Sequence, residues 1–250
     1  MLILLSPSKT QEPPVESSIA SPTTPLFEKR RWRIIRSLRG MEEEDVQDML
    51  KVSDSLFDTH LTRNKHWNKA HTINNAYPAI ELFRGHVYTE FEDATYTKKQ
   101  QVYMQKNLAI LSGLYGIIRP CDLVQPYRLE MASKVQVGKD KNLYHFWSEP
   151  VSEYIASTNP SFILNCASEE YTKVIDREVV DAPWIDVVFL EKEGKGFRQI
   201  TIYTKKARGR LAKWMVDNNI TTKEGITSFK EDGYTFRKSH SDEHTFTFVR

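Results

Sequence analysis

Met1-Leu2-Ile3-Leu4-Leu5-Ser6-Pro7-Ser8-Lys9-Thr10 opens the chain with five consecutive apolar side chains that run straight into a loop of hydroxyls, one proline and one lysine. A short unbroken apolar run bounded by turn residues is the pattern of a strand buried on both faces, so the chain starts in the core of a sheet. The run is too short for a signal-peptide core and carries no charged leader, and no later segment approaches a membrane span. A second run of the same kind, Phe162-Ile163-Leu164-Asn165-Cys166-Ala167, passes into Ser168, a good helix N-cap, with Glu169 and Glu170 in the turn behind it. Asp186 to Glu191 and Phe197 to Thr204 read as two more strands joined across Lys192 to Gly196, the second leading directly into a helix.

Helical periodicity fills the space between. Leu26 to Arg39 places Phe27, Ile34 and Leu38 on one side and Lys29, Arg33 and Arg36 on the other, and Gly40 ends it. A further helix spans Glu42 to about Asp58, its first turn acidic, and a short one spans Pro78 to Phe83 before Gly85. Thr97 to Leu111 reads as a longer helix, with Thr97 and Gln100 spaced as a capping box. Residues 112 to 131 carry two glycines and two prolines, which forbid one continuous helix and make a shaped loop that ends extended. There is no repeat of fixed period and no linker dividing the later chain. The expectation is an α/β protein (mixed α+β), a single domain over 1–250 with a mixed sheet flanked by helices.

Composition narrows the function classes. With 250 residues, 40% hydrophobic and 27% charged, the chain has material for a substantial core and is neither collagen-like nor low-complexity. A formal net charge of +2 gives no global pull toward nucleic acid, so any basic surface must be local. Cys121 and Cys166 are the two cysteines, far apart in sequence, which points to reduced thiols in the cytoplasm rather than a disulfide framework or a zinc knuckle. His240 and His244 stand four apart, but the Ser, Asp and Glu around them suit a solvated segment; no metal and no cofactor is assigned.

The chemistry-bearing stretch is Ile200 to Met215, where the strand reading ends at Thr204 and Lys205-Lys206-Ala207-Arg208-Gly209-Arg210 opens a helix anchored by Ala207, Leu211 and Trp214. From Gly194 to Val216 there are seven Lys or Arg and no acid. Cations at a helix N-terminus oppose the macrodipole, and an anionic partner would remove that cost. Lys9, just after the first strand, faces the same crevice if the sheet gathers its strand ends. Leu111-Ser112-Gly113-Leu114-Tyr115-Gly116 has two readings: a turn whose backbone N–H groups face a DNA phosphate, as in a helix-hairpin-helix, or a plain C-cap and turn. Arg128 and Glu130 alternate with Tyr127, Leu129 and Met131, so an extended backbone presents both charges on one face, and Arg119 adds a further cation. Glu169 and Glu170 suit either a general base or the start of a helix.

Five blocks, Leu4 to Thr10, Leu111 to Gly116, Gln125 to Met131, Ala167 to Tyr171 and Tyr203 to Gly209, occur in the order in which they resemble the YaaA family, covering Met1 to about Gly233. The resemblance implies a bacterial cytoplasmic protein of the hydrogen-peroxide response that limits free iron and the hydroxyl-radical damage it causes. It also implies double-stranded DNA as partner, a positively charged cleft, a helix-hairpin-helix element and a family-specific fold. The arginine-rich first helix and the His-containing tail depart from the family pattern. Two functions follow. In the first, Lys9, Ser112, Gly113, Gly116, Arg119, Arg128, Lys205, Lys206 and Arg208 bind DNA phosphates. In the second, the same cations bind a phosphorylated small molecule or nucleotide for an enzyme with Glu130 or Glu170 as acid or base and Tyr115 or Ser168 nearby. Both lose their support if Glu130 or Glu170 neutralises Lys205 and Lys206 internally.

Overall fold

In the computed structural model, which describes residues 1–250, the opening run is strand β1 (Leu2–Leu5), every residue of it buried. Successive side chains of a strand point to opposite faces, so complete burial means that both faces are covered. The chain continues through helices α1 (Glu28–Arg39), α2 (Glu43–Leu50) and α3 (Asp54–His66), strand β2 (Tyr77–Pro78), and helices α4 (Ala79–Leu82) and α5 (Lys98–Asn107). Strands β3 (Leu108–Ser112), β4 (Gly116–Ile118) and β5 (Leu123–Val124) follow, then α6 (Leu143–Ser157), β6 (Ile163–Asn165) and α7 (Glu169–Thr172). The last part comprises β7 (Trp184–Glu193), β8 (Gly196–Arg198), α8 (Thr201–Asn218), α9 (Lys223–Thr227), β9 (Thr235–Phe236) and β10 (Thr245–Val249).

Eight strands form one mixed sheet in the order β4-β3-β1-β6-β7-β10-β9, with β8 pairing β7, while β2 and β5 make a separate two-stranded ladder. The five central strands are parallel: Ile3 pairs with Leu108 on one side and Leu164 on the other, Leu164 with Ile185, and Val187 with Phe246. Taken in chain order these five stand 2-1-3-4-5, the order of doubly wound sheets, with the chain reversing direction across the sheet between β1 and β6. Antiparallel β4, β8 and β9 are additions to that scheme. One apolar cluster of 61 buried residues forms the core, with a satellite of three, Val46, Leu50 and Phe57, on α2 and α3, and the protein is a single α/β domain, as its sequence leads one to expect. No helix is long and apolar enough to cross a membrane.

Several boundaries differ from the sequence reading. The capping box at Thr97 and Gln100 is formed, but α5 stops at Asn107 and Leu108 to Ser112 is a strand. A run of four apolar residues satisfies a buried helix or a buried strand equally, and parallel pairing with β1 decides it. The helix expected over Glu42 to Asp58 breaks at Lys51, whose φ of 50° is left-handed, and a new helix starts behind Ser53. The loop at 112–131 contains a β-hairpin: Ser112 pairs with Gly116 and Ile110 with Ile118. Strands flank Leu111 to Gly116 on both sides, so this segment is not a helix-hairpin-helix. A Cβ on Gly113 would sit 2.6 Å from the Leu129 carbonyl oxygen, and one on Gly116, at φ +74°, 2.6 Å from the Trp147 ring. The two glycines serve close packing. Finally, the strand expected over Phe197 to Thr204 is confined to Gly196–Arg198, and helix α8 begins at Thr201.

Candidate functional site

In a doubly wound sheet, the loops leaving two neighbouring strands in opposite directions open a crevice beyond their carboxyl ends. Here those strands are β1 and β6. The Ser6–Thr10 loop leaves one and Cys166–Ser168 leaves the other, and a cavity of about 730 Å³ lies between them. Its floor is tied across the switch point: the Ser168 backbone N–H donates to Ser6 Oγ at 2.8 Å, and the Ser6 hydroxyl donates to Ser168 Oγ at 3.2 Å. The Tyr88 hydroxyl donates to the Ser6 carbonyl at 2.8 Å, which fixes the wall made by residues 85–88.

Helix α8 supplies the opposite wall through Lys205 and Arg208. Gly209 makes this possible, because a Cβ there would lie 1.8 Å from the Val87 carbonyl oxygen, so the helix backbone rests directly on the 85–88 loop. Arg208 is half-buried and donates to the carbonyls of Ala167 at 3.2 Å and Val187 at 3.5 Å, while its Nε–H is buried without an acceptor. Lys205 and Lys206 are exposed, and neither has a carboxylate within 4.0 Å. They sit in the second turn of α8 rather than at its N-terminus. The dipole cost argued from sequence therefore does not act on them, since that field fades within the first turn. Internal neutralisation by Glu130 or Glu170 is also absent.

Glu130 instead holds other cations. Its Oε1 takes Lys9 Nζ at 2.7 Å and Arg128 Nη2 at 3.0 Å, in a recess that adjoins the cavity and shares Pro7, Ser8, Lys9 and Tyr171 with it. Arg128 Nε is a second buried guanidinium N–H without an acceptor. Glu169 and Glu170 line the cavity, and the Glu170 carbonyl accepts the Tyr144 hydroxyl at 2.9 Å. The Cys166 thiol lies at the base, pushed up to about 12 by burial against the opposing pull of Arg208, so it is a neutral wall and not a thiolate nucleophile. Burial, with Tyr127, Glu170 and Glu130 nearby, likewise raises the Tyr171 hydroxyl.

The structure thus brings together Lys9, Arg128, Glu130, Ser168, Glu170, Lys205 and Arg208 around the cavity and its recess. Lys206 stands beside them on the outer face of α8. The remaining sequence candidates lie elsewhere. Arg119 follows the end of β4 that pairs toward the start of β3, and it is bound to Asp122 at 2.8 Å and to the Thr24 carbonyl at 3.0 Å. Ser112 Oγ lies 2.6 Å from the Tyr127 hydroxyl in the interior. Tyr115 is fully buried; its hydroxyl accepts from Trp67 Nε1 and the Gln125 backbone, and burial lifts it to about 12 against the Trp67 bond and the Arg31 charge. Sequence reasoning missed the 85–88 wall. The available signal was Gly209, since a glycine inside an amphipathic helix marks a close backbone approach. No group of three or more His, Cys, Asp or Glu side chains is arranged so that it could hold a metal ion.

Fold and site define an α/β protein with a mixed-charge cavity at the switch point of a 2-1-3-4-5 parallel core. The family described as "Peroxide stress protein YaaA" matches residues 1–240, and the chain belongs to that family. Among its relatives, a UPF0246 protein of Polaromonas naphthalenivorans is 36% identical over all of this chain and 98% of its own length. One from Acaryochloris marina is 35% identical over the whole of both chains, and one from Shewanella oneidensis 36% identical over all of this chain and 99% of its own.

Proposed function

We propose that this chain is a DNA-binding protein of the peroxide response, which holds duplex phosphates on the exposed face of α8 and so acts against iron-dependent oxidative damage to DNA. The observation that carries the reading is that Lys205, on the cavity lining, and Lys206 beside it are exposed, adjacent and free of carboxylate partners. Unpaired cations on one face are the electrostatic footprint of phosphate contact, and a net charge of only +2 makes their concentration there meaningful. Lys9 and Arg128, shared by Glu130, contribute less. Exposed Tyr203 and Ile202, one turn earlier on α8, add apolar surface beside the lysines.

Fluorescence anisotropy with a labelled duplex, from low to near-physiological salt, tests this. Wild type should lose affinity linearly in log salt, and Lys205→Ala/Lys206→Ala should flatten that slope by about 2, at about 0.9 per phosphate contact. Absence of binding at low salt, or an unchanged slope, would overturn the reading.

A further inference from the structure

The cavity itself is unlike a groove for a polyanion. Its lining sets Lys205 and Arg208, with Lys9 held by Glu130, against the carboxylates of Glu170 and of Glu169, the latter paired with Lys173 at 3.0 Å, over a floor of paired serine hydroxyls. A nucleic-acid backbone passing through would meet the carboxylates and be repelled by them, and inorganic phosphate would use one wall only. A matching ligand carries an anionic group for the α8 wall and hydrogen-bond donors, such as sugar hydroxyls or an exocyclic amine, for the acidic wall. Two further observations bear on its class. The cavity's size falls within the roughly 300–1,000 Å³ typical of small-molecule sites. It occupies the switch point, where doubly wound sheets take nucleotides against loops at strand ends, with a carboxylate on the ribose hydroxyls.

We propose that the switch-point cavity is a site for one nucleoside monophosphate unit, its phosphate on Lys205, Arg208 and the Ser6 and Ser168 hydroxyls and its donors toward Glu170. This deepens the DNA-binding reading, since the unit arrives either as a free nucleotide or as one nucleotide extruded from DNA bound at the cavity mouth. Extrusion by proteins that read a base outside the stack follows the same pocket logic.

Two arms separate the sources, both on the full chain. Calorimetric titration with each free nucleoside 5′-monophosphate, with inorganic phosphate as comparison, should give saturable binding that phosphate does not match. Lys205→Ala should weaken it about tenfold, and Lys206→Ala, outside the cavity, by less than about twofold. In the second arm, a duplex containing 2-aminopurine is titrated at low salt, and a fluorescence rise that Lys205→Ala reduces marks extrusion. Saturable binding in either arm supports the site and names its source. Phosphate binding as tightly as the nucleotides overturns it, as does silence in both arms. Anisotropy on the same duplex tells that failure from loss of DNA binding itself: DNA bound with no response in either arm sinks the cavity site alone.

Discussion

Replacing Gly209 by alanine isolates the contact on which the cavity depends. On helix propensity alone the change should stabilise α8 by about 1 kcal/mol. The new Cβ, however, would lie 1.8 Å from the Val87 carbonyl oxygen and 2.6 Å from its carbonyl carbon, where real Cβ atoms keep at least 3.0 Å, so the two backbones must separate by about 1.2 Å. Neither side can swing away as a flexible side chain would. Overpacking of this kind costs about 1–3 kcal/mol, and a clash with fixed backbone belongs at the upper end, leaving a net loss of about 2 kcal/mol. For a chain of this length that is a fall in Tm of about 4–8 °C. Because Lys205 and Arg208 lie within one turn of Gly209, the same shift should weaken binding of DNA and nucleotide more than it lowers the folded fraction. Gly196→Ala is the control: its Cβ would meet nothing nearer than 3.8 Å and the site is exposed, so Tm should stay within about 1–2 °C. Differential scanning fluorimetry of the three proteins decides the matter. A Gly209→Ala protein as stable as wild type, or more so, would refute the close-approach argument.

Burial and nearby arginines hold His60 and His71 down to about 4, against 6.5 in an unfolded chain. The unfolded chain therefore takes up protons that the folded one refuses, so stability is full above about pH 6.5 and falls as the pH drops toward 4, by at most about 1.4 kcal/mol per pH unit for each histidine. Urea denaturation between pH 7 and 4.5 should show this, and His71→Gln should make the slope shallower; an identical slope would contradict the assignment. Cys121 and Cys166, whose thiols burial lifts to about 11 and about 12, should resist a thiol reagent at pH 7.5 until the protein is denatured, when two thiols should react; labelling of either in the native protein would show that it is not enclosed. Glu130→Gln removes the carboxylate shared by Lys9 and Arg128, so duplex affinity should rise and the salt slope steepen by about 1–2, with a stability change under about 1 kcal/mol. A weaker complex would mean that Glu130 acts on the ligand directly.

Much of the molecule is written locally. Five apolar residues in a row at Met1 to Leu5, and three from Phe162 to Leu164 followed past Asn165 by Cys166 and Ala167, can be buried only between covered faces, so two core strands and the α/β class follow from the sequence without reference to the rest of the chain. The Thr97 and Gln100 cap is equally local, since both partners lie within one turn. The same holds for the cation-rich segment at 205–210, whose spacing around Ala207 and Leu211 already announces a helix with one exposed face. What the sequence left undecided is whatever depends on partners distant along the chain. Leu108 to Leu111 is a strand because β1 lies beside it, and Leu111 to Gly116 is a hairpin because Trp147 and Leu129 crowd its glycines. Glu130 is a partner for Lys9 because the loop after β1 meets the segment after Tyr127, more than a hundred residues later. The cavity exists only where loops from β1, β6 and residues 85–88 meet α8, and which of the cations end unpaired on its rim is settled by that meeting, because electrostatic pairing depends on distance in space and not on separation in sequence.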